Sequence, residues 1–431
     1  MKFAAPVSSR LPKSRMNRWS VSGWMTPGII GILSLVLVLT SYEHTRGNLH
    51  RLKEHVVKPD NSSIVSTGPG GQDPIELRRP RNVNDEAPEF LSATLLPGRG
   101  FNLWQLTAYL PGHGEVPLLV SPPVTEAANI LNGTGPDTNG SASTNFGGAF
   151  LAPWAAQLTG GTSAAPDILQ TQWQGDRLSF PSITSGSSLS TEGLLLDRGA
   201  DSVQTKVLSD GKSAQAVFHL GTFAGGWPGN TELTILVELS GQTVELTMTA
   251  QNISTVPEPF GMGWHPYFAI PGGDRSNTRL VIPSSDRLAP PDRNTGISSG
   301  NILSTLDTPY AFFRADGTKL GNLPLDETYV NLHSSVMADG PIAELQDPAA
   351  NYGLRIIPLS SNIKTFRVIA PAGKPWVSIG PDMNVPDPFG HEWDKLDSNG
   401  MVVLRPGDTL QWKVRLEIFP ITRSTPVSLG Q

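Results

Sequence analysis

Residues 261–268 read GMGWHPYF and set the imidazole of His265 between Trp264 and Pro266, straight after a strand-like segment. A histidine near its ordinary pKa of about 6.5 can give or take a proton at neutral pH. A reaction that removes one proton while adding another needs a second titratable group on the far side of the substrate. The carboxylates available are Glu192 in STEGLLLDR, Asp326 in LPLDETYVNL, and Asp382, Asp387 and Glu392 in VSIGPDMNVPDPFGHEW. Asp326 paired with Asp382 or Glu192 would also suit cleavage of a glycosidic bond, where two carboxyl groups flank the scissile oxygen. A lone histidine or a loop carboxylate has bland roles as well, as a hydrogen-bonded core group or a turn cap.

Several other chemistries have no support. FAGGWPGN and GGTSAAPD are glycine turns rather than phosphate loops between a strand and a helix. No H-x-x-H or HExxH occurs and nothing pairs a serine with His265 in a recognisable way, so neither a histidine-held metal nor a serine nucleophile is indicated, and no cofactor is called for. The chain has no cysteine, which rules out thiolate catalysis and disulfides. Its net charge is −6 with no dominant basic block in the folded part, which speaks against nucleic acid as a ligand.

The elements that must position His265 are strands. Leu233, Ile235, Val237 and Leu239 alternate with other residues in TELTILVELS, and Val244, Leu246, Met248 and Ala250 do so after a Ser240–Gly241 turn. That pair predicts an antiparallel hairpin with one buried face. TLQWKVRLEIF, KTFRVIA and PWVSIG continue the pattern, and no four-turn amphipathic helix interrupts it. The expected class is all-β, a large antiparallel sandwich.

The amino terminus differs. Arg10, Lys13, Arg15 and Arg18 precede an uncharged run from Trp19 to Tyr42. Such a run is long enough to cross a bilayer, and the basic flank predicts a cytoplasmic start. The expected organisation is a basic segment at 1–23, one transmembrane signal-anchor at 24–41, a flexible linker at 42–88, the β-domain at 89–421 and a tail at 422–431. The main domain would then be membrane-anchored, facing the periplasm or the cell exterior. Residues 125–143, containing NGTGPDTNGSAST, read as a surface loop.

At GWHPYFAIPGG the chain resembles the aldose 1-epimerase family, whose fold is the galactose mutarotase-like β-supersandwich. GGAFLAPWA, STEGLLLDR, LPLDETYVNL and GMVVLRPGDTLQWKVRLEIF resemble further segments of that family in the same order, over roughly residues 90–420. The resemblance implies interconversion of the anomers of a free aldose, with no metal. A base takes the anomeric proton, an acid protonates the ring oxygen, and the opened aldehyde turns its other face. By the resemblance His265 is the acid and Asp326 a sugar ligand. Trp154, Trp264, Tyr267 and Trp376 could offer flat faces to a pyranose.

Three positions depart from the family pattern. Gly380 stands where the family has its basic glutamate, Glu192 replaces a second histidine, and Ala156–Gln157 replaces an Asn-Arg pair. In an extended strand residues 380 and 382 share a face, so Asp382 is the expected stand-in base, with Glu192 as another candidate. The expected site is therefore His265 and Asp382 as catalytic residues, with Asp326, Glu192, Trp154, Gln157 and Tyr267 around a small sugar or glycan end. The alternative is a non-catalytic carbohydrate-binding envelope protein that kept the fold and lost the base.

Overall fold

The computed structural model describes residues 68–82, 87–162, 165, 167–292, 298–334, 340–390, 392–393, 396 and 398–421. The expected anchor at 24–41, most of the linker and the tail lie outside the described residues. Among those described, no helix is long and apolar enough to cross a membrane.

The fold is an antiparallel β-structure with two large sheets. One has 11 strands, in the order Ile75–Arg78, Glu89–Leu96, Asn102–Leu110, Gly148–Leu151, Gly263–Ala269, Trp376–Asp382, Thr365–Ala370, Leu325–His333, Ser284–Leu288 and Ile302–Ser304, with Gly114–Pro117 beside Asn102–Leu110. The other has nine, running from Thr318–Lys319 through Thr409–Phe419 to Ser202–Leu208. The hairpin expected around Ser240–Gly241 forms, with Thr231 opposite Asn252 and Leu239 opposite Val244. Its alternate residues, among them Ile235, Val237, Leu246 and Met248, are fully buried. They join inward-facing residues of the first sheet, such as Phe150, Trp264, Phe366 and Ile379, in one apolar cluster. Along the hairpin strands period-two sequence thus gives a more exposed and a buried face, and the buried faces close the sandwich.

Two stretches are more ordered than their composition suggests. Residues 75–78, assigned to the linker, form an edge strand on Glu89–Leu96, and Leu77 is buried in the core. IELR is too short to display a period, so its pairing could not be read locally. Residues 125–143 contain the helix Val124–Ile130 and a 3₁₀ stretch, Gly135–Asn145, rather than an open loop. Asp137 pins that segment, accepting the Gly133 amide at 2.7 Å and pairing with Arg99 at 3.1 Å, while Leu131 and Ala127 pack with Trp104 and Leu96.

Ile235→Ala should lower the unfolding free energy by about 2–5 kcal/mol in urea titration, because the cavity lies where strands of the core cannot collapse onto it. Val207→Ala, at a side chain 82% exposed, should shift it by about 0.5 kcal/mol or less. Equal losses at the two positions would contradict the described sidedness.

Candidate functional site

His265 is carried by Gly263–Ala269, and the alternation of that strand explains the HPYF segment. Trp264 and Phe268 point into the core, where the Trp264 indole donates to Gly148 O at 3.0 Å. The intervening His265 and Tyr267 face the other side. The strand pairs with Gly148–Leu151 along its first half and with Trp376–Asp382 along its second, Tyr267 lying opposite Ser378. Continuing that register sets His265 beside Gly380, and Gly380 is in turn the cross-strand partner of Arg367. Thr328 then pairs with Arg367. One row across the sheet therefore reads His265, Gly380, Arg367, Thr328.

Gly380 is where this row gives way. A Cβ placed there would stand 2.8 Å from His265 Cδ2, closer than side-chain carbons approach. The imidazole lies over bare backbone, so no family-type glutamate fits beside this histidine conformer. Asp382, two residues on and on the same face, supplies the carboxylate instead: its Oδ2 lies 3.0 Å from His265 Nε2. Glu192 Oε2 lies 2.8 Å from the other ring nitrogen, Nδ1. The Glu192 loop is fastened where the chain passes Ala152. Leu194 N donates to Ala152 O at 2.7 Å, and Gly193 adopts φ +75°, with no room for a Cβ 2.7 Å from that carbonyl.

All three groups are shielded, the exposures being 5% for the His265 side chain, 2% for Asp382 and 16% for Glu192. Burial alone would discharge the imidazole, but the carboxylates of Asp382 and Glu192 outweigh it and raise its pKa to about 10. Glu192 loses hydration on burial, yet the imidazolium, with Arg367 beyond it, holds its pKa below the usual range. Burial dominates at Asp382 and raises its pKa, against the pull of His265. Its Oδ1, turned toward Gly263 and Ala155, has no hydrogen-bond partner among the described residues.

Beside this triad opens a cleft of about 200 Å³, lined by Gln157, Thr159, Asp326, Thr328, Arg367 and Asp387 among others. Asp326 is 72% exposed and pairs with Arg367, Oδ1 to Nη2, at 3.1 Å. Gln157 lines the same cleft and its carbonyl accepts the Asp387 amide at 2.9 Å. Tyr267 is half-buried and meets Trp376 edge-on, ring centroids 5.0 Å apart. Trp154 is elsewhere. It is fully buried, stacked on Trp227 at 5.2 Å and against Phe180 at 5.5 Å, so the expected sugar face at Trp154 is core, as is that at Trp264. Apolar aromatics in a strand suit either place, and only the closure of the sandwich decides between them. Arg367 was not singled out from the sequence. Its signal is the alternation in KTFRVIA, which buries Phe366 and Val368 and leaves Arg367 on the cleft side. Among the described residues no group of His, Cys, Asp and Glu is arranged to hold a metal.

The family model of aldose 1-epimerases matches residues 172–417, more than half of the 431 residues, and the chain belongs to that family. Solved structures agree on the fold. A galactose mutarotase-like protein from Clostridium acetobutylicum superposes with a TM-score of 0.63 at 16% identity, covering 80% of this chain and 98% of its own. A galactose 1-epimerase from Lactobacillus acidophilus NCFM gives 0.55 at 14% identity, with 81% and 99% covered. An aldose epimerase homologue from C. elegans gives 0.56 at 15%, with 77% and 96% covered. No curated protein sequence matches the chain.

Because its folded pKa lies above the ordinary 6.5, the His265 imidazolium stabilises the fold most below pH 6.5 and loses that contribution as pH rises to about 10. In urea titrations, the stability gap between the wild type and His265→Gln should therefore narrow steadily across that window. A gap independent of pH would contradict the bridged imidazolium.

Proposed function

We propose that the cleft takes a free aldose, or the reducing end of a glycan, and that the protein interconverts its anomers by acid–base ring opening. The observation that carries this reading is the pair formed by His265 Nε2 and Asp382 Oδ2, a donor and an acceptor 3.0 Å apart. A cyclic hemiacetal presents the complementary pair on a single carbon: a ring oxygen that accepts and an anomeric hydroxyl that donates. Inserted between the two groups, it gives its hydroxyl proton to Asp382 and receives the Nε2 proton at the ring oxygen as the C1–O bond opens. A raised carboxylate pKa makes a stronger base than an ordinary aspartate, and a charged imidazole is a filled proton store. Glu192 holds the imidazole in its charged form and fixes its orientation from Nδ1. Asp326, Gln157 and Tyr267 are assigned to the sugar's hydroxyls and ring.

A second reading is favoured by a specific feature. His265 and Asp382 are almost closed to solvent, and the residues that open on the cleft are Arg367, Asp326 and Gln157. A protein that binds sugar there without reaching the buried pair would be a carbohydrate-binding module on an epimerase fold. We further assign the uncharged run between Trp19 and Tyr42 to a membrane anchor that leaves this body outside the cytoplasm, supported by the basic residues ahead of it.

Polarimetry or exchange NMR on α-glucose and α-galactose with the full-length protein distinguishes the readings. Anomerisation should be accelerated, and Asp382→Asn should reduce the rate by about 10²- to 10⁴-fold. With rising pH the rate should hold up to about 10, where His265 gives up its proton. Sugar binding without acceleration would establish the second reading, and the absence of both would defeat each.

A further inference from the structure

Within the sugar-binding reading, on which this inference rests, the family's Asn-Arg pair is missing beside the Pro-aromatic segment, and neutral Gln157 lines the cleft in its place. A guanidinium is present nonetheless, reached from a different strand. Arg367 comes from Thr365–Ala370, directly across from Gly380. It lines the same cleft as Gln157, and no other Lys or Arg does so among the described residues. Its Nη2 meets Asp326 at 3.1 Å, while its buried Nε has no acceptor among the described residues. A buried donor left without an acceptor is costly, and buried polar groups are normally hydrogen-bonded. Gly380, its cross-strand partner, bears no side chain of its own beside Arg367, and the His265 imidazole lies over that bare backbone.

We propose that Arg367 binds substrate: its fork and the Asp326 carboxylate together grip a pair of neighbouring sugar hydroxyls, replacing from across the sheet the arginine that the Pro-aromatic segment has lost. The pair offers donors on one side and an acceptor on the other, 3.1 Å apart, which fits two adjacent hydroxyls, one accepting and one donating. The guanidinium is faced by Glu192, Asp326 and Asp382, whose charges raise its pKa against its burial. It is thus already balanced, and hydroxyls suit it better than a phosphate or a carboxylate.

The test is a titration of the full-length wild type, Arg367→Met and Arg367→Lys with glucose and with each monodeoxyglucose. Arg367→Met should weaken glucose binding about 10- to 100-fold, the scale of a charged hydrogen bond. Arg367→Lys keeps the charge beside Asp326 but not the fork, should fold if Arg367→Met does not, and should bind about tenfold more weakly. At one or more positions, removing a hydroxyl should cost the wild type affinity while costing the variants little, a coupling that a purely structural arginine would not show. Wild-type affinity in the variants, or deoxy losses unchanged by them, overturns the assignment of Arg367 alone. No sugar binding by the wild type overturns the sugar-binding reading and this assignment with it.

Discussion

An imidazolium clasped between two carboxylates, in a place nearly without water, is the constraint around which the site is built. Three buried charges are tolerable together and costly apart, because each would otherwise lose its hydration with nothing in return. The contact between His265 and Asp382 spans two adjacent strands, and that between His265 and Glu192 ties the sheet to the loop held at Ala152. The sheet register and the loop anchorage therefore have to agree to within a hydrogen bond. Their electrostatic consequence is a histidine that stays charged well past neutrality and two carboxylates driven in opposite directions from their ordinary values.

Gly380 decides how the imidazole and its carboxylate partners are arranged. With no side chain at that point, the imidazole lies over the backbone, and the carboxylate that meets its Nε2 is that of Asp382, two residues on along the same face. Restoring a glutamate at 380 alone would collide with His265. Arg367 stands directly across from Gly380 on the neighbouring strand, and Glu192 reaches His265 from the loop held at Ala152. The cleft opens on the Arg367–Asp326 pair, while His265 and Asp382 are nearly closed to solvent.

Much of this was legible in the sequence where it depended on period two. Alternation predicted the hairpin about Ser240–Gly241 and put Asp382 on the face of Gly380, whereas Trp264, expected to face the sugar, is placed in the core by the structure. What it could not supply was which strands are neighbours. Arg367 lies 13 residues before Gly380 in sequence, and its place in the site follows only from antiparallel pairing across the Thr365–Ala370 and Trp376–Asp382 strands. Glu192 was visible as a departure from the family pattern, but its direct contact with His265 comes from a loop closing over the sheet. Trp154 shows the reverse limit: a tryptophan in a Pro-aromatic segment suits a sugar or a core equally, and Trp227 and Phe180 claim it for the core.

The most direct test of the bridged imidazolium is ¹⁵N NMR of the His265 ring in the full-length protein at pH 7. Clasped between Glu192 and Asp382, both ring nitrogens should carry protons and report a charged imidazole with two strong hydrogen bonds. A neutral ring protonated on one nitrogen only would contradict the account.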